Sequence, residues 1–315
     1  MSEMNRRIIL AGGSGFLGQA LAKYFLKSQW DAVILTRSPS QSSVGRQVFW
    51  DGCTISSWQE ELDGAKAVVN LAGKSVDCRY DSRNRREILD SRVNSTRVLG
   101  EAIARCGQPP EAWLNASTAT IYKHTLGTPW TEDGEIGATP QAKDEFSIQV
   151  AKAWERTFEQ AQTPCTRKVA MRMAMVLGTG KNSVFPMLRR LARCGLGGKM
   201  GTGEQFVSWI HEVDYCRAVE WLIARDEIEG LVNLAAPDPV PNHTIMRMLR
   251  RGCGVPFGLP ASRWMLELGA LVLRTETELI IKSRRVVPRR LLASGFRFQF
   301  PTIQDAIEDL CHRFS

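Results

Sequence analysis

No apolar run in this 315-residue chain reaches the roughly 18 residues that a membrane-spanning helix requires, so no membrane span is expected. The first apolar stretch, residues 8–11, is too short for the hydrophobic part of a signal peptide. The eight cysteines form no C-x-x-C and no Cys/His grouping at metal-ligand spacing. Neither a metal module nor a disulfide framework is expected. The thiols read as reduced groups in a cytoplasmic protein, several of them buried as small hydrophobes. Internal repeats and low-complexity linkers are absent. The late basic stretch KSRRVVPRRLL (282–292) lacks interleaved stacking aromatics, and no nucleic-acid-binding motif accompanies it. It reads as a solvated basic face, so no nucleic-acid partner is expected. The net charge of +8 also suits an anionic ligand such as a phosphorylated cofactor.

An apolar fraction of 43% and a charged fraction of 23% are those of an ordinary globular chain with a sizeable core. Apolar, β-branched runs at 7–11, 32–36, 48–50, 67–71 and 112–117 alternate with helical patterns at 16–27, 83–106 and 142–161. A further strand is expected at 167–176. Such alternation predicts right-handed crossovers and an α/β fold, a Rossmann-like doubly wound parallel sheet. After residue 177 the texture becomes glycine- and proline-rich. Helices are expected at 213–224, 245–251, 263–273 and 302–313, and a short strand at 231–234. We therefore expect a dinucleotide-binding domain at 1–176, to which 211–235 returns. Residues 177–315 would form mainly a smaller C-terminal substrate lobe.

The stretch IILAGGSGFLGQAL (8–21) places Gly12, Gly15 and Gly18 between an expected strand and an expected helix. Gly12 permits a tight turn, Gly15 lets backbone approach a pyrophosphate, and Gly18 lets helix and strand pack closely. Gly12, Gly13, Ser14, Gly15, Phe16, Leu17 and Gly18 are thus the expected phosphate cradle at a helix N-terminus. Chains selective for NAD place a carboxylate at the end of the second strand. This chain has Thr36, Arg37 and Ser38 there. Arg37 would pair with a 2′-phosphate and Ser38 would donate to it, which predicts NADP(H). The alternative is a solvated Arg37. Asn70, Leu71, Ala72 and Gly73 end the fourth strand with small residues, where backbone approaches the cofactor riboses. Asp51 is placed to meet an adenine edge or, equally, to form a turn. Met175 joins the cofactor set near the end of the expected strand 167–176. Residues 181–183 follow, where backbone meets a nicotinamide.

The segments AGGSGFLG, NLAG, SRVNSTR, VLGTGKNSVFPMLRR, GLGGKMGTGEQFVSWIHEVD, NLAAPDPVPN and VVPRRLLASGFRFQFPTIQDAIEDL occur in this order. Together they resemble the epimerase-like YfcH subgroup, an atypical, extended branch of the short-chain dehydrogenase/reductase superfamily. The resemblance covers essentially the whole chain. It implies a Rossmann sheet with a C-terminal lobe and an NADP-binding oxidoreductase or sugar epimerase, but no particular substrate. Extended members work with a Ser/Thr, a Tyr and a Lys. In NASTATIYK (115–123), Thr118 matches the superfamily Ser/Thr and Ser117 the serine kept by the subgroup. Anchoring the next helix on Glu155 puts Ser147 at the Tyr position and Ala151 at the Lys position. Lys152 lies about 100° round the helix. The acid/base pair is missing, as in the subgroup. Tyr122 is the nearest phenol, either a catalytic substitute or a packing residue.

Other positions carry the substrate expectation. Arg79 and Arg92 match subgroup arginines and either bind a substrate carboxylate or phosphate or form helix-surface ion pairs. Gln205 and Trp209 border the glycine-rich loop as substrate-lobe contacts. His211 is either a proton donor or a structural residue. Lys74 and Lys123 replace the subgroup's usual Glu and Gly, and suit either an anionic small-molecule substrate or solvent. Two functions stay open: an NADP(H)-dependent oxidoreductase or epimerase, and a non-catalytic NADP(H)-binding sensor. A homodimer is compatible with either.

Overall fold

The computed structural model of the chain describes residues 6–41, 43–262, 264–266, 276 and 278–314. Seven parallel strands form its central sheet: β1 (Arg7–Ala11), β2 (Asp31–Thr36), β3 (Arg46–Phe49), β4 (Ala67–Asn70), β5 (Ala112–Thr118), β6 (Arg167–Met173) and β10 (Gly230–Leu234). Their spatial order is β10-β6-β5-β4-β1-β2-β3. Residues 8–11 of β1, 67–69 of β4 and 112–114 of β5 are apolar without a break because both faces of a parallel sheet are covered. One face carries α1 (Phe16–Lys27) and α5 (Glu212–Ala224), with Leu21, Phe25, Tyr215 and Leu222 packed on Ile8, Leu10 and Leu114. The other carries α2 (Ser82–Ile103) and α3 (Glu145–Gln160), with Leu99, Ile103 and Phe158 on Ile9, Val68 and Trp113. Chain order reverses between β1 and β4. In open α/β sheets that switch point opens a crevice at the carboxyl ends of the strands.

The strand expected at 167–176 is two strands. β6 ends at Met173, and β7 (Met175–Leu177) leaves the sheet to pair with β9 (Trp209–His211). This change of partner starts the second lobe. Its remaining elements are α4 (Val184–Arg193), α6 (Asn242–Gly252), α9 (Ile303–His312) and the short pair β8 (Phe206–Val207) and β11 (Val240–Pro241). Phe185, Trp209, Met246, Leu249, Ile307 and Leu310 form its separate core. The helix expected at 263–273 lies largely outside the described residues. Single turns α7 (Glu278–Ile281) and α8 (Arg289–Ala293) flank a segment that crosses back over the sheet domain. Among the described residues no helix is long and apolar enough to cross a membrane. The eight cysteines are free thiols.

Candidate functional site

The glycine turn lies at the switch point. Gly12 has φ +73°, and a Cβ there would sit 2.7 Å from the Cα of Ala72, so the turns after β1 and β4 touch backbone to backbone. A Cβ on Gly18 would lie 2.3 Å from the Cα of Gly13, which fixes α1 hard against the turn. Gly15 is different: a Cβ there would meet nothing within 4 Å. Packing does not explain this glycine, and the open space beside it leaves room for the expected approach of a pyrophosphate. Gly15 caps α1 without a side-chain hydrogen bond, and the first turn carries no acid, so the N-terminal amides keep their positive potential. The Gln19 amide ties the cradle down, donating to the Gly13 carbonyl at 3.1 Å and accepting from the Val44 amide at 2.9 Å. Phe16 packs under Gly178 and Gly180, bringing the loop after β7 to the same place. Leu17 belongs to the core beneath, and Ser14 is exposed.

At the end of β2, buried Thr36 accepts the Ser38 amide at 3.2 Å and shapes the corner. Arg37 projects from that corner, exposed. The adenine role for Asp51 gives way to the turn: its carboxylate accepts the amides of Cys53 (2.8 Å) and Thr54 (2.9 Å) and the Thr54 hydroxyl (2.6 Å). Asn70 also works inward. It donates to Asn115 at 2.7 Å and accepts the Ala72 amide at 3.1 Å, fixing the turn Leu71–Ala72–Gly73 whose backbone faces the cradle.

At the end of β5 the structure separates three candidates. The Ser117 hydroxyl donates to Glu155 at 2.5 Å, and Glu155 is held by two hydrogen bonds from Arg172 at 2.7 and 2.8 Å. Tyr122, 1% exposed, donates to Asn233 at 2.8 Å and accepts from Arg172 at 3.0 Å. Ser117 and Tyr122 therefore belong to one buried network that joins β5, α3, β6 and β10, not to an open site. Burial raises the Tyr122 pKa, which opposes proton transfer at neutral pH. Thr118 alone is only half-buried. Its Oγ1 accepts the Thr120 amide at 3.1 Å, and its proton remains available to donate.

On α3, Ala151 is buried in a small cluster with Tyr122 and Val286, and Lys152 is exposed. Ser147 donates its hydroxyl to Glu278 of α7. This contact introduces a group that the sequence did not single out, the C-terminal segment crossing the front of α3. Lys282, 1% exposed, pairs with fully buried Asp144 and donates to the Thr120 carbonyl. Arg284 donates to Thr120 Oγ1 at 3.0 Å. Arg285 covers the Phe206 ring, and Arg290 donates to the carbonyls of Glu229 and Leu231 at 2.6 Å. The reading of 282–292 as a solvated basic face is thus corrected for Lys282, Arg284 and Arg290, which clamp this segment onto the sheet domain, while Arg289 is exposed. The one local signal was the Glu278–Lys282 spacing of four on a short helical turn. The remoteness of Asp144 and Ser147 in sequence hid their partnership.

The substrate-lobe candidates turn inward as well. Trp209 is fully buried, and its indole donates to the Asp238 carbonyl at 3.0 Å. Gln205 is buried and donates to the carbonyls of Met200 (2.9 Å) and Ile280 (3.3 Å). It holds the glycine-rich loop to α7. His211 is 0% exposed and caps α5: the Val213 amide donates to Nδ1 at 3.1 Å, which leaves Nε2–H to donate to Asp309 at 3.1 Å. Burial lowers its pKa to about 4, so the imidazole is neutral at pH 7. These three side chains hold the lobe together. Met175 donates its amide to Ser208 at 3.1 Å and packs half-buried on the lobe core. Lys74 pairs with Glu87 and Asn84, and Lys123 with Glu135, the solvated alternative for both lysines.

The two arginines divide. Arg79 faces Glu276 at 3.7 Å. Arg92 lies over the Trp154 ring and donates to the carbonyls of Lys74 (3.1 Å) and Ile88 (3.0 Å). No carboxylate among the described residues pairs with it. Burial lowers its pKa to about 10, and its polar neighbours are Tyr80 and Cys78. The Tyr80 hydroxyl is enclosed beside Ser147, and burial pushes its pKa up to about 12.

Comparison with known proteins extends this geometry. The pattern of the NAD dependent epimerase/dehydratase family matches residues 8–235, and a domain of unknown function (DUF1731) matches residues 261–310. The bovine epimerase family protein SDR39U1 is 30% identical over 310 residues, covering 96% of this chain and 99% of the relative. The epimerase family protein SSP1921 of Staphylococcus saprophyticus is also 30% identical, over 98% and 100% of the two chains. The crystal structure of human epimerase family protein SDR39U1 (isoform 2) with NADPH superposes with a TM-score of 0.83 at 26% identity, covering 97% of this chain and 99% of the other.

Proposed function

The chain belongs to the NAD dependent epimerase/dehydratase family, and on that premise we propose that it binds NADP(H) and uses it on a small polar substrate as an oxidoreductase or epimerase. The backbone of Gly12–Gly18 and the α1 N-terminus would hold the pyrophosphate. Arg37 and Ser38 would hold the 2′-phosphate, and the Leu71–Gly73 backbone would lie along the riboses. When bound, the nicotinamide supplies or accepts a hydride. Thr118 is left to orient the reacting oxygen by donating to it. Arg92 is suited to an anionic group on the substrate because it is a half-buried cation that no carboxylate among the described residues pairs with. The chemistry would occur at the carboxyl edge of β4 and β5.

The observation that carries the cofactor reading is exposed Arg37 at the β2 corner, where an NAD-selective chain would carry an acid. The NADPH seen in the human relative's structure supports it. Calorimetric titration with 2′,5′-ADP and with 5′-AMP isolates the 2′-phosphate. We expect 2′,5′-ADP to bind at least about tenfold more tightly, a difference of about 1.4 kcal/mol. Equal affinities would remove the basis for choosing NADP(H).

A second reading, a cofactor sensor without chemistry, is favoured by Ser147 and Ala151 at the positions of the missing pair. Free thiols fit a reducing, cytoplasmic setting. A homodimer, and independence from membranes and nucleic acid, remain part of the proposal.

A further inference from the structure

We propose that Glu278, carried by the C-terminal segment, is the proton donor and acceptor of the site, meeting a carbonyl or hydroxyl of the substrate where the missing tyrosine would have reached. The inference rests on the NADP(H) reading above and adds a catalytic residue to it. Its first support is placement. Ser147 stands at the tyrosine position of α3, and its hydroxyl donates to the Glu278 carboxylate. Its second support is enclosure with access. Glu278 is 8% exposed yet lines a cavity of about 180 Å³ with Tyr80, Phe146 and Glu276. Its third support is that the segment carrying it reaches the reacting edge. Arg284, on the same segment, donates to Thr120 at 3.0 Å, and the Thr120 amide donates to Thr118 at 3.1 Å.

The surroundings suit a carboxyl group that holds its proton more tightly than an ordinary glutamate does. Tyr80 and Ser147 face it from the loop before α2 and from α3. Asp144 faces it from the start of α3, and Lys282 and Arg284 from its own segment. Lys282 is already paired with Asp144 and so compensates Glu278 only weakly. Burial raises the Glu278 pKa above the ordinary glutamate range and outweighs the Ser147 hydrogen bond and the Arg284 cation, which lower it; the Asp144 carboxylate adds to the rise. In the reducing direction, the carbonyl carbon gains the hydride supplied by NADPH and the C=O electron pair moves onto oxygen. That oxygen takes the proton from the Glu278 carboxyl. The resulting carboxylate is reprotonated from water through the cavity. In the oxidising direction, Glu278 accepts the hydroxyl proton as the carbinol hydride passes to NADP⁺.

The test uses the full-length protein with NADPH and two carbonyl probes, 9,10-phenanthrenequinone and methylglyoxal, and records NADPH fluorescence binding alongside turnover. Wild type is expected to reduce at least one probe, with a rate that falls as pH rises through the raised Glu278 pKa. Glu278→Gln should lower that rate by about 10²-fold or more and abolish the alkaline limb, with NADPH affinity unchanged. Ser147→Ala keeps the carboxyl but removes the hydrogen bond that stabilises its ionised form, so the limb should move to higher pH. The proposal is overturned if the protein binds NADPH but reduces neither probe, or if Glu278→Gln keeps the wild-type rate and profile. Wild type that fails to bind NADPH at all overturns the cofactor reading itself, and this inference with it.

Discussion

At the scale of single residues, two glycines in one turn do different work. A methyl group on Gly18 would collide with the Gly13 backbone at 2.3 Å, whereas one on Gly15 meets open space. Gly18→Ala should therefore cost about 2–3 kcal/mol of stability through overpacking. Gly15→Ala should cost less than about 1 kcal/mol, yet weaken NADPH binding at least about tenfold. Urea denaturation and NADPH titration of the two variants separate these effects, and equal stability losses would contradict the assignment. The Glu155–Arg172 pair gives a second contrast. Arg172→Met leaves Glu155 enclosed without its cation and should cost about 3 kcal/mol. Tyr122→Phe removes two hydrogen bonds, the one to Asn233 and the one from Arg172, and should cost about 2 kcal/mol. If Tyr122→Phe instead abolished turnover in a protein of nearly native stability, Tyr122 would return to the reaction.

At the scale of elements, α5 shows how a histidine that looks catalytic becomes a cap. His211 has a folded-state pKa of about 4 against an ordinary value of 6.5. Between those values the unfolded chain binds more protons than the folded one, so stability is complete above pH 6.5 and falls as pH drops toward 4. The loss should approach about 3 kcal/mol. Urea midpoints at pH 7 and pH 4.5 should differ less in His211→Asn than in wild type, and an unchanged difference would remove this role. The elements themselves were legible where burial imposes a local period. β1 and α1 match their expected bounds of 7–11 and 16–27 residue for residue. The break at Ala174 was not legible, because it is set by pairing of β7 with the distant β9. The glycine turn between β1 and α1 could be read from glycine spacing together with the strand before it and the helix after it. Gln205 and Trp209 turn inward, and His211 takes its structural alternative, because adjacency to a loop in sequence does not reveal which way a side chain turns.

At the scale of the whole molecule, the C-terminal segment joins the two halves. It reaches the sheet domain through Lys282 and Asp144, which are separated by 138 residues. Charge composition reads Lys282 and its neighbours as a solvated face; only the fold brings them to their partners. Lys282→Met leaves Asp144 fully buried and unpaired, and should destabilise the protein by about 3–5 kcal/mol. Replacing Lys282 and Asp144 together with Met and Leu should recover much of that loss, and thermal unfolding of the single and double variants checks it. The same segment carries Glu278 to Ser147, so the stability of this crossing and the chemistry of the site are linked through one stretch of chain.

On the proposed function, the β2 corner selects NADP(H) through Arg37. The direct measurement is fluorescence titration of wild type and Arg37→Asp with NADPH and NADH. Wild type should bind NADPH at least about tenfold more tightly than NADH, and Arg37→Asp should lose this preference while NADH binding is kept or improved. An unchanged NADPH preference in Arg37→Asp, or no binding of either nucleotide by wild type, would contradict it.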